Sequence, residues 1–292
     1  VTRPLIDVHA HLWPEEYLAL LAEHGRPAAE ARALHATDRP DHLAARIAEL
    51  DAAGIDRQLV SAAAQMPDLP RPAAAAHAAR LANDRCARAV ARHPDRLGFL
   101  AVLPLPHLDE AVAEAEYALD VLGAHGAVLT WQPGGHQLTD DRFDPLFGRL
   151  ADRAATVLLH PGGTLPGPPG TPAGLRWTAG SLTEQTFGLL RWLDAGHPRR
   201  FPRLTAIVAR AGGAASLLPP GMLPRPLPPS VRVDSHTQGN DAALRCAADA
   251  YGADRVDLGT DYPFARGPAL AAAVAAYRRL ADARPAAAVP TL

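Results

Sequence analysis

The stretch DVHAH places His9 and His11 two positions apart. On a strand, that spacing puts both imidazoles on one face. The sequence holds 13 histidines in 292 residues, so the pair alone also fits two packed or surface side chains. His160 closes the run TVLLH, and an imidazole at the end of an apolar strand needs a partner. Asp261 follows the apolar strand in LGTDYPF; a helix cap or a partner for an arginine would also explain it. Three imidazoles and one carboxylate at strand ends are a zinc-type ligand set that leaves room for water. The expectation is one divalent cation, zinc first and manganese as the alternative, held by His9, His11, His160 and Asp261 at one point.

Arg210 raises a different question. In TAIVARAGG it stands where an apolar strand breaks into a glycine turn, yet an arginine side chain is no base at ordinary pH. Its fork suits a carboxylate better than a proton. His236, just past a strand in VDSHTQ, is the nearest candidate base, although a loop histidine is the plainer reading; His136 in PGGH is a weaker one. The sequence contains no lysine, which excludes lysine Schiff bases and lysine general bases.

These groups need strands to carry them. Apolar runs at 5–9, 58–62, 97–103, 126–131, 156–160, 204–209, 231–235 and 255–260 read as strands. Helical patterns fall between them at 41–53, 72–92, 108–122, 181–194, 240–251 and 268–282, with Asp41 as the cap and Gly54 as the stop of the first. Eight strands alternating with helices favour an α/β fold of the (β/α)8 barrel type, with a doubly wound open sheet as the alternative. The Pro/Gly-rich segments 161–177 and 217–230 break the rhythm and exclude regular helix. Over a barrel mouth they would be active-site loops, the first extending to 180, in one domain spanning 1–292.

The formal net charge of −2 gives no footprint for nucleic acid or an anionic membrane. No apolar run reaches membrane-spanning length, and the opening residues lack the apolar core of a signal peptide. A cytoplasmic protein is the expectation. Cys86 and Cys246 lie far apart on alanine-rich stretches and read as small buried residues.

The segments IDVHAHLWP, LDAAGIDRQLVS, HPDRLGFLAVLPL, DDRFDPLFGRLADRAATVLLHPGG and YGADRVDLGTDYPF occur in this order. In them the chain resembles the decarboxylase branch of the amidohydrolase superfamily, over nearly its whole length. The resemblance implies a distorted metal-dependent barrel with His9, His11, His160 and Asp261 on one metal, and Arg46 and Trp177 facing substrate. It implies a non-oxidative carboxy-lyase acting on a small unsaturated or aromatic acid, in which Asp261 passes a proton to carbon. A homodimer is implied by likeness alone. At Arg210 the chain departs from relatives, which usually carry histidine there. That leaves two other readings open, a lactone or amide hydrolase and a repurposed or catalytically silent barrel in which Arg210 pairs with Asp261.

Overall fold

The structure is a computed structural model that describes residues 4–26, 29–163 and 172–282. Strand β1 (Ile6–His11) pairs in parallel with β2 (Arg57–Ser61), and β2 with β3 (Leu97–Phe99). A second parallel run follows: β4 (Ala101–Val102), β5 (Gly126–Thr130), β6 (Thr156–His160), β7 (Thr205–Val208), β8 (Val231–Asp234) and β9 (Val256–Asp257). The order is consecutive throughout, which excludes the doubly wound alternative with its reversal of strand order. Backbone bonds join the first strand to the last stretch: Val8 N–H to Leu258 O, His11 N–H to Tyr262 O and Asp261 N–H to His9 O. The architecture is a distorted (β/α)8 barrel.

Two departures from the expected elements have local causes. The run 97–103 is split at Leu100, so β3 and β4 share one barrel position. The 161–177 segment is not wholly irregular. Residues 164–171 lie outside the described residues, but helical turns at Ala173–Leu175 and Arg176–Gly180 lead straight into helix Ser181–Asp194. The prolines stop at Pro172, and past it nothing in the sequence forbids helix. By contrast, 218–230 holds no helix or strand. Helices Glu15–Glu23 and Asp144–Asp152 were not anticipated. Asp41 does not cap its helix, which starts with Pro40 behind Arg39; Gly54 does end it, at φ 68°. Cys86 is buried, Cys246 only half-buried, and both are free thiols. Among the described residues no helix is long and apolar enough to cross a membrane.

The core has two layers. Val8, Leu59, Val102, Val128, Leu158 and Ile207 point into the barrel and fill it. Their strand neighbours, including Val60, Leu129, Leu159 and Val208, pack outward against the helices. This is the alternation a barrel strand requires. A bulge in β1 between Asp7 and Ala10 adds one residue relative to β2. Such a bulge re-aims side chains, and here it sits next to His9.

Candidate metal centre and its cavity

His9 and His11 come from β1, His160 is the last residue of β6, and Asp261 follows β9. One ligand atom from each lies within 4.8 Å of all the others, and all four residues are buried. Asp261 adopts φ 57°, an uncommon conformation for aspartate that a functional position can impose. Its two oxygens face different partners. Oδ1 lies 2.8 Å from His11 Nε2 and 3.4 Å from His9 Nε2. Oδ2 lies 3.2 Å from His236 Nε2 and 3.6 Å from Arg210 Nη2.

The imidazoles are oriented from behind. His9 donates its Nδ1–H to Asp234 Oδ2 at 2.6 Å, and His160 donates its Nδ1–H to the Pro161 carbonyl at 2.8 Å. Both rings therefore present Nε2 to the cluster. His9 Nε2 is buried without a hydrogen-bond partner. Lone pairs fixed in this way fit a divalent cation, since ligating histidines are held by a bond to their other nitrogen. Glu184 accepts from the Gly162 and Gly163 amides and so fixes the turn after His160.

The electrostatics agree with this donor set. Burial pushes His160 well below the ordinary imidazole range, and the neighbouring His9 and His11 add to it. Burial also lowers His11 against the pull of Asp261. For His9 burial acts downward, but the charge of Asp261 and the bond to Asp234 outweigh it and the pKa rises. Burial alone would raise Asp261; the charge of His9 and the bond from His11 override it and hold the carboxyl well below its usual range. A cation would take the place of the proton on His9.

A cavity of about 710 Å³ opens on this cluster. His11, His160, Asp261, Arg210, His236 and Trp177 all line it. Arg210 sits two residues past β7, 8% exposed, with Nε unpartnered. It and Ala211 both have positive φ, at 54° and 52°. His236 is buried, and burial lowers its pKa. Trp177 is 43% exposed and covers Gly163, where a Cβ would meet the indole at 3.1 Å. Trp13 stacks on His11 with ring centroids 5.5 Å apart, and Phe264 stands edge-on to both.

Arg46 is placed elsewhere than the substrate face. It is 1% exposed and outside the cavity lining. Its guanidinium is spent on Gln58 Oε1, the His11 carbonyl and the Tyr262 ring. It braces the end of β1 from behind the cavity wall. His136 is exposed and bonded to Arg142. Asp234 is the functional residue that sequence reasoning missed. Its only signal was its place at the end of β8, two residues before His236.

A parallel barrel with a metal-type cluster at the carboxyl ends of its strands defines the class of molecule. The sequence matches the amidohydrolase family over residues 6–289, and the chain belongs to that family. It is 26% identical over 241 residues to 2-amino-3-carboxymuconate-6-semialdehyde decarboxylase of Dictyostelium discoideum, covering 76% of this chain and 67% of that protein. It is 29% identical over 251 residues to gamma-resorcylate decarboxylase of Rhizobium radiobacter, covering 75% of this chain and 76% of that one. The fold matches 2,6-dihydroxybenzoate decarboxylase from Rhizobium with a TM-score of 0.77 at 23% identity, over 95% of this chain and 92% of the other. It also matches the dihydroxybenzoic acid decarboxylase of Polaromonas, solved with bound manganese and 2-nitroresorcinol, with a TM-score of 0.72 at 21% identity, over 96% and 94% of the two chains.

Proposed function

We propose that this chain is a metal-dependent, non-oxidative decarboxylase of an aromatic or unsaturated acid. The observation that carries the reading is the two-sided Asp261 at the cavity: one oxygen toward His9 and His11, the other toward Arg210 and His236. The decarboxylases of Dictyostelium and Rhizobium to which the chain is similar support it. His9, His11, His160 and Asp261 would hold one divalent cation, zinc or manganese. Bound there, the ion supplies Lewis-acid polarisation and charge neutralisation for a carboxylate.

Arg210 would grip an acidic oxygen of the substrate through its fork. Trp177 and Phe264 would flank the ring. The proton would come from the Asp261–His236 pair, whose atoms lie 3.2 Å apart. The bond from carbon to the carboxylate breaks, its electron pair stays on carbon, and the proton takes the place of departing CO2. A hydrolase of a neutral lactone or amide is the second reading. The observation in its favour is His236, which stands where a base lost at position 210 can be replaced. The silent-barrel reading loses weight because Arg210 approaches only Oδ2 and leaves Oδ1 to the histidines. A homodimer and a cytoplasmic location complete the proposal; light scattering and cell fractionation check them.

The test is elemental analysis of the purified protein together with CO2 release from 2,6-dihydroxybenzoate. About one metal per chain and chelator-sensitive CO2 release are expected. Arg210→Ala should weaken binding of the acid tenfold or more, as losing one partner of a buried charge contact does, and Arg210→Lys should weaken it less. Turnover of neutral lactones in preference to acids would establish the second reading. No metal after reconstitution would leave a binding protein.

A further inference from the structure

The cavity does not end at the metal-type cluster. Past Phe264 it continues along helix Gly267–Asp282 to Arg279 and Asp241, which are ion-paired at 2.6 Å. At about 710 Å³ it falls in the range that encloses a drug-sized molecule, several times what a single benzoate ring fills. Its wall along the helix is Ala269, Ala272, Ala273 and Ala276, and the buried Leu244 faces it from helix Asp241–Tyr251. The helix turns its larger side chains, Leu270, Val274 and Tyr277, into the core instead. From Ala269 to Ala276 the wall runs about 10 Å at 1.5 Å per residue. Glu30, Gln65, Thr237 and Gln238 also line the cavity. Arg210 Nε, buried and unpartnered, and His236 Nε2, 3.2 Å from Asp261 Oδ2, face the inner end, whereas Arg279 and Asp241 at the far end neutralise each other.

We propose that the substrate is an aromatic acid bearing an extended apolar substituent, with its acidic end at Arg210 and the substituent along the alanine wall. The inference rests on the decarboxylase reading for the identity of the acidic end. Alanine methyls offer a polar tail no hydrogen-bond partner but partly withdraw an apolar one from water, and a short substrate would leave the outer cavity to water.

The experiment measures binding and CO2 release for manganese-loaded protein with 2-hydroxybenzoates alkylated at ring position 4, 5 or 6, with chains from methyl to heptyl. For at least one position, affinity should rise about two- to threefold per methylene, as partial burial of each group gives, and then level off. Ala276→Phe should flatten that rise while leaving the affinity for unsubstituted 2-hydroxybenzoate unchanged. Ala272→Trp, at an exposed position, repeats the test without touching the core. A flat series in the wild type, or a rise that survives both substitutions, overturns the proposal. CO2 release from the short acids with a flat series would sink this inference alone. A rise in affinity with no CO2 from any acid would sustain the groove and remove the decarboxylase reading. Failure of every acid to bind would remove both.

Discussion

Asp234 is the side chain on which the geometry of the site turns. Its Oδ2 accepts from His9 Nδ1, and its Oδ1 accepts from the Ala211 and His236 amides, each at 3.0 Å. One buried carboxylate thereby fixes a metal-type ligand on β1, the turn that carries Arg210 after β7, and the histidine beyond β8. Asp234→Asn keeps the shape but can present an N–H to His9 Nδ1, and metal affinity should fall about 10- to 100-fold, as loss of such orienting partners does. A competition titration with a chromogenic chelator reads this directly, and unchanged affinity would mean that His9 is oriented by packing alone. Asp234→Ala should also destabilise the fold, because two buried amides lose their acceptor at about 1–3 kcal/mol each. The four strand-end residues were legible in the sequence because period-2 alternation tells which way an imidazole points. Asp234 was not, because its value lies in contacts to residues 225 and 23 positions away. The contacts of Arg46 were illegible for the same reason: a helix pattern says which face is buried, not what a buried guanidinium binds.

Most strands and helices could be read from apolar periodicity, and the misses fall where tertiary contacts decide. The helical turns at 173–180 have composition cues that point to loop, yet they continue into helix Ser181–Asp194. That helix also packs close to the Arg210 turn through Gly213, whose φ is 70° and where a Cβ would collide with the Leu182 carbonyl and with Thr186. Gly213→Ala should therefore cost about 1–3 kcal/mol from the backbone conformation alone, seen as a lower midpoint in urea. Equal stability would mean that the turn can change its backbone conformation at residue 213 and the helix can move away. Just past that helix, His197 opens a short helix, His197–Arg200, fully buried, its ring 4.2 Å from Trp192 and both nitrogens unpartnered. Burial, helped by the nearby Arg200, lowers its pKa from 6.5 to about 4. The folded state thus favours the neutral ring, and the unfolded chain binds the extra proton. The contribution to stability is full above pH 6.5 and is lost as the pH falls from 6.5 toward about 4, by at most about 1.4 kcal/mol per pH unit. His197→Leu should make the melting temperature less sensitive to acid across that window. An identical pH slope in wild type and variant would assign the sensitivity to other groups.

The ligand cluster also ties the molecule together. Its members come from the first strand, from the sixth, and from the residue that meets the first strand again after the ninth. The seam between β1 and the 258–262 stretch rests on a few backbone bonds and the single bridge Ala10–Tyr262. Around it Asp7 gathers the Thr260 amide and hydroxyl and the Gln58 amide. A divalent cation on His9, His11 and Asp261 would add a second link across this seam, so metal and barrel stability should be coupled. At a free metal concentration a hundred times its Kd, the ion should stabilise the fold by about 2.7 kcal/mol, which a chelator would remove as a fall of several degrees in melting temperature. The loss should be uneven. Amide exchange should quicken most at Val8, His11 and Asp261, whose N–H groups cross the seam, and least on β5, which lies between β4 and β6 and carries none of the ligands. His11→Ala should abolish both the chelator shift and the selective exchange. A chelator shift that persists in His11→Ala would place the ion at other residues, and uniform exchange across all strands would show that the cation stabilises the barrel as a whole without clasping its ends.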